Sequence, residues 1–267
     1  MAISALYTAA TGMQAMDQKL NIVANNLANL ETVAFKSSRP NFEDLLYQTL
    51  VPPGGNNAQQ EPLPYGTIIG LGVKLSGTQL DFTQGSPDVT TNPLDLSILG
   101  EGFFQVITVV DGNETTAYTR AGNFTKNANG QLVLGNSIGS RLEPPITIPQ
   151  NATQVDVKPD GRVFVTEAGV QTELGQIQLA RFVNPAGLKT VGRNLYLATP
   201  ASGEPILGNP TEQGLGEIQA GTLERSNVDP VRELVELIKT QRAFEMNSQT
   251  IQSADQTLQT LNNLRRF

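Results

Sequence analysis

Apolar side chains recur every seven residues through the first 30 residues of the chain, and this repeat constrains the fold more than any other feature. A second apolar position follows each of them after three or four residues, which is the spacing of a coiled-coil-like seam along one edge of a helix. We expect a helix of about 30 residues, roughly 45 Å long. The two seam positions are occupied by Leu6, Met13, Leu20 and Leu27, and by Ala2, Ala9, Met16, Val23 and Leu30.

A second, more polar seam occupies the C-terminal end of the chain. Asp229 is a favourable N-cap and Pro230 is a favourable first helical residue, so a helix is predicted to begin there. Its seam residues are Leu237, Phe244, Ile251 and Leu258, with Thr240, Asn247, Ala254 and Leu261 as their companions. Because helical seams lie at both ends of the chain, we expect the two helices to meet, and an antiparallel pairing would bring the two termini together.

The region between the seams has the pattern of β structure. Val, Ile, Thr, Phe and Leu alternate with polar residues in short runs, separated by turn signals such as Asn129-Gly130 and Asp160-Gly161. The stretches 126–133 and 158–165 resemble one strand–turn–strand unit used twice. The predicted fold class is α+β, with long N- and C-terminal helices in a coiled-coil-like domain and a central all-β domain of short strands. The predicted divisions are an N-terminal helix and following segment at 1–50, a Pro- and Gly-rich linker at 51–65, a β-rich domain at 66–222 and a C-terminal helix at 223–267.

Both ends of the chain are depleted of charge. Residues 1–16 carry no charged side chain, and residues 246–264 carry only Asp255. A monomer usually covers exposed helix faces with Lys and Glu, whereas buried interfaces exclude unpaired charges and accept amides that bond to identical neighbours. We therefore interpret the terminal helices as surfaces that pack against other copies, and a solvated hairpin low in charge is the alternative. The candidate polar contacts between subunits are Asn25, Asn26, Asn29 and Asn247.

The composition excludes several kinds of chemistry. The chain has 267 residues and a net charge of −7 with scattered Lys and Arg, which argues against a nucleic-acid-binding surface. It contains neither Cys nor His, so thiolate and His-based catalysis are excluded, and a metal site would need oxygen ligands alone. No cofactor is predicted. The N-terminus lacks the pattern of a cleaved signal peptide, and no segment has the length of a membrane-spanning helix.

Motifs associated with enzymes occur but fail on context. Residues 135–139 match G-x-S-x-G, yet a Ser-His-Asp triad is impossible without His, so a Gly-rich turn is the preferred interpretation and a Ser-Lys arrangement stays open. Residues 70–75 begin like a dinucleotide-binding loop but lack its third glycine and its helix. The carboxylates left as candidates for a hydrolase, none marked as a pair, are Asp81, Asp88, Asp95 and Glu101.

Several segments together resemble the bacterial flagellar rod and hook proteins, and the resemblance covers nearly the whole chain. Their order and spacing are specific, although no single motif is decisive. The segment at 42–48 resembles the distal-rod members in particular. In chain order the segments are ALYTAATGM at 5–13, NNLAN at 25–29, FK at 35–36, FEDLLYQ at 42–48, LGEGFF at 99–104, YTRAGNF at 118–124, SNV at 226–228, ELV at 233–235 and TQRAFEMN at 240–247.

This resemblance implies a structural, non-enzymatic subunit of the distal rod, which self-assembles into a rigid hollow helical tube and transmits motor torque to the hook. The implied partners are other copies of the chain, other rod proteins, the hook protein, the P and L ring proteins and the flagellar export apparatus. The implied location is a basal body that crosses the periplasm, reached by export without a cleaved signal peptide. The linker matches a family region that adds contacts between subunits. Its candidate rod-stiffening residues are Pro52, Pro53, Gly54, Gly55, Pro62 and Pro64.

Three alternatives remain: a proximal rod or hook subunit of the same family, a carboxylate-dependent hydrolase and a secreted β-domain adhesin. The chain also departs from the family pattern at Ala34, where a glycine usually precedes Phe35-Lys36. Alanine adopts a positive φ poorly. We therefore expect either that the local turn is not left-handed or that the helix runs slightly further.

Overall fold

The computed structural model describes residues 2–54, 64–110, 112–167 and 169–264. The chain divides into two compact units. The helical unit contains Met1–Ala28, Ser38–Gln79 and Asp229–Phe267, and the β unit contains Asn29–Ser37 and Leu80–Val228. Within the described residues, one helix lies near each end of the chain and strands lie between them, which confirms the predicted α+β class.

Helix α1 spans Ala2–Ala28 and helix α2 spans Pro230–Leu264. The predicted start of α2 is confirmed by its capping. One carboxylate oxygen of Asp229 accepts hydrogen bonds from the N–H groups of Val231 at 3.0 Å and Arg232 at 3.2 Å. These bonds satisfy two of the backbone donors that the first turn of a helix leaves without partners.

Helix α1 has 27 residues, close to the predicted length of about 30, and it ends before the last predicted seam residue, Leu30. After Ala28 the chain turns, and the N–H of Thr32 donates to the carbonyl of Asn29 at 3.2 Å. The hydroxyl of Thr32 also donates to the side-chain oxygen of Asn29 at 3.1 Å, so the asparagine stabilises the turn. Leu30 therefore lies outside the helix and is not a seam residue.

Two pairs of strands complete the described part of the helical unit. They are β1 (Ser38–Asp44), β2 (Tyr47–Val51), β3 (Thr67–Gly70) and β4 (Val73–Leu80). Strand β1 pairs with β4, and β2 pairs antiparallel with β3. Because strand pairing decides which residues pack together, the compact units divide the chain differently from the boundary predicted at residue 66.

The β unit is built from short strands around one large sheet. The described strands are β5 (Pro87–Val89), β6 (Leu96–Leu99), β7 (Phe103–Val110), β8 (Asn113–Thr119), β9 (Phe124–Lys126), β10 (Leu132–Leu134), β11 (Arg141–Glu143), β12 (Gln154–Val157), β13 (Arg162–Glu167), β14 (Val170–Gln176), β15 (Leu179–Arg181), β16 (Lys189–Gly192), β17 (Leu195–Leu197), β18 (Ile206–Gly208), β19 (Glu217–Ala220) and β20 (Thr222–Glu224), with a short 3-10 helix at Pro185–Gly187. The large sheet has nine strands in the order β16-β17-β8-β7-β11-β10-β9, with β15 paired to both β7 and β18. A three-stranded sheet β12-β13-β14 and the pairs β6-β19 and β5-β20 contain the other described strands of this unit.

The predicted repeat of a strand–turn–strand unit is confirmed. Gly130 and Gly161 occupy the same place in their turns, at φ 79° and 82°. The carbonyl of each glycine accepts a hydrogen bond of 2.8 Å from an isoleucine further along the chain, Ile148 for the first and Ile177 for the second. A Cβ on either glycine would meet the carbonyl oxygen of that isoleucine at 2.4 Å or 2.7 Å. Both the positive φ and the close backbone approach therefore require glycine.

Adjacent residues of β7 supply two separate hydrophobic clusters, because successive side chains of a strand point to opposite faces. Phe104 is fully buried and meets Phe124 edge to face, with 5.2 Å between the ring centroids. Phe103 lies in an aromatic cluster with Phe182 and Tyr196. Burial of Tyr196 in this cluster raises the pKa of its phenol to about 12.

A buried ion cluster joins distant parts of the β unit. The ammonium of Lys36 lies 2.6 Å from one carboxylate oxygen of Glu224, and the guanidinium of Arg120 lies 3.4 Å from the other. These side chains are at most 5 % exposed. Burial lowers the pKa of Lys36, and the carboxylate of Glu224 opposes that shift. Removing one member would leave an uncompensated charge in the interior, which is costly.

Both expectations for Ala34 are wrong, because Ala34 adopts a left-handed conformation with φ 54° after the helix has ended. Its N–H donates to the backbone carbonyl of Glu224 at 2.8 Å, and its methyl group is fully buried in the main core. The buried methyl and the backbone bond thus hold an alanine in a conformation that costs about 1 kcal/mol relative to glycine.

We expect Ala34→Gly to change the free energy of unfolding by less than about 0.5 kcal/mol, because relief of the positive φ offsets the lost methyl. Ala34→Val should destabilise the β unit by about 2 kcal/mol or more, since a branched side chain fits neither the φ nor the packed site. Denaturant unfolding of the full chain measures both. The control is Ala117→Gly in β8, which is equally buried but lacks a positive φ and should cost about 1.5 kcal/mol. Equal losses for the two glycine variants would contradict this account.

Candidate assembly surface

Helices α1 and α2 pack side by side in opposite directions within the helical unit. A Cβ added to Gly12 would lie 3.1 Å from the side-chain nitrogen of Asn247. Further along α1, the ammonium of Lys19 lies 2.8 Å from a carboxylate oxygen of Glu236. As residue numbers rise along α1, the numbers of their partners on α2 fall. The two ends of the chain therefore meet as the two seams predicted, in an antiparallel pair.

The predicted seam residues whose side chains the structure describes lie at sheltered positions of both helices. On α1, Val23 is buried, and Leu6, Met13, Met16, Leu20 and Leu27 are half-buried. On α2, Leu237, Phe244, Ile251, Leu258 and the amide-bearing Asn247 are half-buried. The backbone of Leu261 belongs to α2, but its side chain lies outside the described residues.

The glycine within α1 has a packing reason. Glycine weakens a helix interior by up to about 1 kcal/mol relative to alanine, so Gly12 is unfavourable for the helix by itself. In the structure the carboxamide of Asn247 packs directly against it, and even a methyl group would come within 3.1 Å to 3.4 Å of that amide. Gly12 therefore makes room for the carboxamide of Asn247 across the helix pair.

Two glutamates on α2 have opposite electrostatic environments. Hydrogen bonds from Lys19 and Lys239 hold the pKa of Glu236 below its ordinary value. The ionised carboxylate therefore stabilises the fold at a pH above the ordinary pKa of a glutamate, and this stabilisation is lost as the pH falls through the lowered pKa. Burial raises the pKa of Glu233, and a hydrogen bond from Asn26 opposes this shift. Glu233 therefore favours the fold more at low pH, in its protonated form.

The four candidate asparagines occupy different environments. Asn26 is 2 % exposed, and its amide pairs with the backbone of Ser38 in β1: it accepts from the N–H at 2.9 Å and donates to the carbonyl at 3.0 Å. Its side-chain nitrogen also lies 3.4 Å from a carboxylate oxygen of Glu233. Asn26 is therefore used inside the chain, which corrects its interpretation as a contact between subunits. Asn25 is exposed on α1, and Asn29 belongs to the turn of the β unit.

The face of α2 opposite its seam carries an exposed apolar stripe. Four side chains follow one another at helical spacing and are 43 % to 70 % exposed. We call this set the α2 stripe, and its members are Val231, Leu234, Val235 and Ile238. Sequence analysis missed it, because the seven-residue seam accounted for the other apolar residues of the helix. The spacing of three, four and seven between the members of the stripe was the available signal.

A second exposed apolar surface lies on the antiparallel ribbon of β2 and β3. Every residue of β2 is exposed. An isolated two-stranded ribbon is marginally stable in water, so this ribbon is a surface that needs a cover. Its large exposed side chains and their neighbours include Leu46 at 84 %, Tyr47 at 58 %, Leu50 at 53 %, Tyr65 at 85 % and Ile68 at 51 %.

The described candidate rod-stiffening residues lie at one end of this ribbon, where β2 ends and β3 begins. Pro52, Pro53 and Gly54 follow β2, and Gly54 has φ 79°. Pro64 precedes β3, whereas Gly55 and Pro62 lie outside the described residues. The two described ends of the segment come together, since a Cβ on Gly66 would meet the carbonyl oxygen of Val51 at 2.5 Å.

Chemical alternatives find little support in the described residues. Ser137 of the G-x-S-x-G match lies in a turn between β10 and β11, where the side-chain oxygen of Asn136 accepts from the N–H groups of Ile138 and Gly139. Among those residues no group of three or more acidic side chains is arranged to hold a metal ion. No helix in the described ranges is long and apolar enough to cross a membrane.

Models of known protein families match three parts of the chain. The model described as "Flagella basal body rod protein" matches residues 6–36, and "Flagellar hook protein FlgE/F/G D1 domain" matches residues 97–165. The model "Flagellar basal body rod FlgEFG protein C-terminal" matches residues 219–264. The matches thus include α1, the central strands of the β unit and α2.

Similarity to curated proteins extends over nearly the full chain. Flagellar basal-body rod protein FlgG of Caulobacter vibrioides is 45 % identical over 267 residues, covering 98 % of this chain and 100 % of the relative. FlgG of Borreliella burgdorferi is 41 % identical over 266 residues, with 98 % of each chain covered. FlgG of Bacillus subtilis is 36 % identical over 275 residues, covering 99 % of this chain and 100 % of the relative.

We expect Asn26→Ala to destabilise the helical unit by about 2 kcal/mol, because it removes the buried amide that bonds to both the N–H and the carbonyl of the half-buried Ser38. The measurement is denaturant unfolding of the monomeric full chain. The matched control is Asn21→Ala, an exposed asparagine on the same helix, which should change stability by less than about 0.5 kcal/mol. Similar effects of the two substitutions would show that the amide of Asn26 does not hold β1 to α1.

Proposed function

The chain belongs to the family of bacterial flagellar rod and hook proteins, and from this premise we propose that it is a structural subunit of the distal part of the flagellar rod. Copies of it assemble into a hollow helical tube that transmits motor torque to the hook. Its work consists of repeated contacts between subunits and of mechanical stiffness. It is a structural protein and not an enzyme.

The α2 stripe is the observation that carries this proposal. One face of α2 is covered by α1 within the chain. On the other face, the large apolar side chains of the stripe stay exposed. Burial of apolar area contributes roughly 25 cal/mol per Å², so covering such a stripe is a substantial driving force for association. A monomer that functioned alone would have charged residues there.

A second copy of this chain is the occupant that best fits the stripe. The C-terminal half of the same helix carries only Asp255 over residues 246–264, so α2 is suited along its length to neighbours that bury its surface. Helices packed on several sides by identical helices avoid charges in this way. Such packing would extend the antiparallel packing of α1 and α2 from one chain to the next.

The ribbon of β2 and β3 provides a second contact between subunits in this proposal. Its exposed Tyr, Leu and Ile side chains would pack on a neighbouring copy, and the segment 51–64 would lock adjacent subunits and make the rod stiff. Further partners are the other rod proteins, the hook protein, the P and L ring proteins and the export apparatus. The location is the basal body, where the rod crosses the periplasm after export without a cleaved signal peptide.

We expect the double variant Leu234→Glu/Ile238→Lys to lose filament assembly while its unfolding free energy as a monomer stays within about 1 kcal/mol of the original protein, because both side chains are exposed. Sedimentation and electron microscopy at polymerising concentration measure assembly. The control is Arg232→Glu, which changes the charge at an exposed position of the same helix that already carries a charge. If the double variant formed filaments equally well, the α2 stripe would not be part of the interface between subunits.

Deletion of residues 51–64 should leave filaments that bend more easily, because the contacts proposed to lock adjacent subunits would be lost. The measurement is the persistence length of filaments in electron micrographs. A control protein carries a Gly/Ser linker of the same length in place of 51–64, and it should be as flexible as the deletion. Unchanged stiffness in both proteins would sink the stiffening role of this segment.

A further inference from the structure

Three stretches of the β unit come together at the ends through which the chain enters and leaves that unit. The chain leaves this unit after Ser37, returns to it at Leu80 and leaves it for the last time after Val228. The adjoining stretches are 34–37, 80–86 and 224–228. Although far apart in sequence, they are joined by the hydrogen bonds described below, and we call this arrangement the three-segment junction.

Backbone hydrogen bonds connect the first segment to the other two. The N–H of Asp81 donates to the carbonyl of Ser37 at 2.9 Å, and the N–H of Asn227 donates to the carbonyl of Phe35 at 3.3 Å. The third segment is joined to the second by the N–H of Arg225, which donates to the carbonyl of Ser86 at 3.0 Å. Each segment therefore bonds to both of the others.

The side chain of Asn227 ties all three segments at one point. Its oxygen accepts from the N–H of Ser37 at 2.8 Å, across 190 positions of sequence. Its nitrogen donates to the carbonyls of Asp81 at 2.8 Å and Thr83 at 3.3 Å, and to the hydroxyl of Thr83 at 3.1 Å. A primary amide is suited to this place, because it offers an acceptor and two donors from one short side chain.

The buried ion cluster lies behind the same junction and ties the same segments a second time. Lys36 donates to the carbonyl of Thr83 at 2.7 Å as well as to Glu224 at 2.6 Å. The oxygen of Glu224 that faces Lys36 also accepts from the N–H of Gly85 at 2.9 Å. Because these charges are buried, separating any one segment from the other two would leave a buried charge without some of its hydrogen-bonding or ionic partners.

We propose that Asn227, backed by the Lys36–Glu224 pair, makes the three segments one cooperative element that opens as a whole and not segment by segment. The consequence for a torque-bearing subunit rests on the function proposed above: load that reaches the β unit along one segment is shared by the other two. The cooperativity itself is a property of the monomer and does not depend on assembly.

Hydrogen exchange of the full-length monomer tests this cooperativity. In Asn227→Ala, peptides covering 35–37, 81–83 and 225–227 should all exchange about tenfold faster, because hydrogen bonds to the two distant segments are lost together. Asn227→Asp keeps the acceptor for Ser37 but removes the donor to Asp81 and Thr83. In one cooperative element all three peptides should still exchange faster, whereas acceleration of 81–83 alone would contradict the proposal. The matched control is Asn136→Ala, which removes a side-chain acceptor of several backbone N–H groups in the turn before β11. It should accelerate only peptides around 136–140.

Acceleration confined to 225–227 in Asn227→Ala would overturn the proposal, since the segments would then be held independently. Equal acceleration of the whole β unit, including 136–140, would also overturn it, because Asn227 would then act on global stability alone. The functional proposal fails in a different way, through absence of filaments from the unmodified protein. That failure would leave the exchange pattern of the junction unchanged.

Discussion

The buried carboxylate of Glu224 is the interaction on which the architecture of the β unit most depends. It accepts hydrogen bonds from Lys36 and Gly85 and pairs with Arg120, so one charge is satisfied by three separate parts of the chain. A buried charge that loses its partners is among the costliest defects a fold can contain. Residues 34–37 are therefore held beside β20, although nearly the whole β unit separates the two segments in sequence.

The conformation of Ala34 follows from this constraint. Its N–H bonds to the carbonyl of Glu224, while Lys36, two residues later, bonds to the side chain of the same glutamate. Between those two anchors the backbone turns through φ 54°, and an alanine remains there because its methyl is buried in the core. Local propensity loses to tertiary contacts whose combined free energy is larger than about 1 kcal/mol.

The helical unit shows how a helix can satisfy its own chain and still offer a surface to others. The seam of α2 is sheltered by α1, whereas the α2 stripe stays exposed. Two of the amides are used inside the chain. Asn26 bonds to the backbone of β1, while Asn247 packs on Gly12 across the helix pair. Packing inside the chain therefore accounts for part of the low charge of these helices, and the exposed α2 stripe is left for the proposed contacts between chains.

Periodicity predicted the elements that depend on local pattern. The seam of α1, the cap of α2 at Asp229 and the paired turns at Gly130 and Gly161 could all be read from residue types and spacing, because helix capping and turn geometry are determined within a few residues. The candidate surface was predicted only in part. The low charge of the termini indicated packing by neighbours. The α2 stripe was not predicted, because the seven-residue seam already explained the other apolar residues of the helix.

The remaining features depend on residues that meet only in the folded chain. The seven-residue repeat continues to Leu30, yet the helix ends at Ala28, because the turn at Asn29 leads into a segment anchored by Glu224. The sequence pattern of Asn26 is that of a surface amide, but in the folded chain its side chain bonds to the backbone of Ser38. By itself the sequence determined the helices, the strand-rich middle and the absence of His and Cys chemistry. Tertiary structure decided where helix gives way to strand and which polar groups are buried, since hydrogen bonds between residues as much as 190 positions apart leave no local pattern.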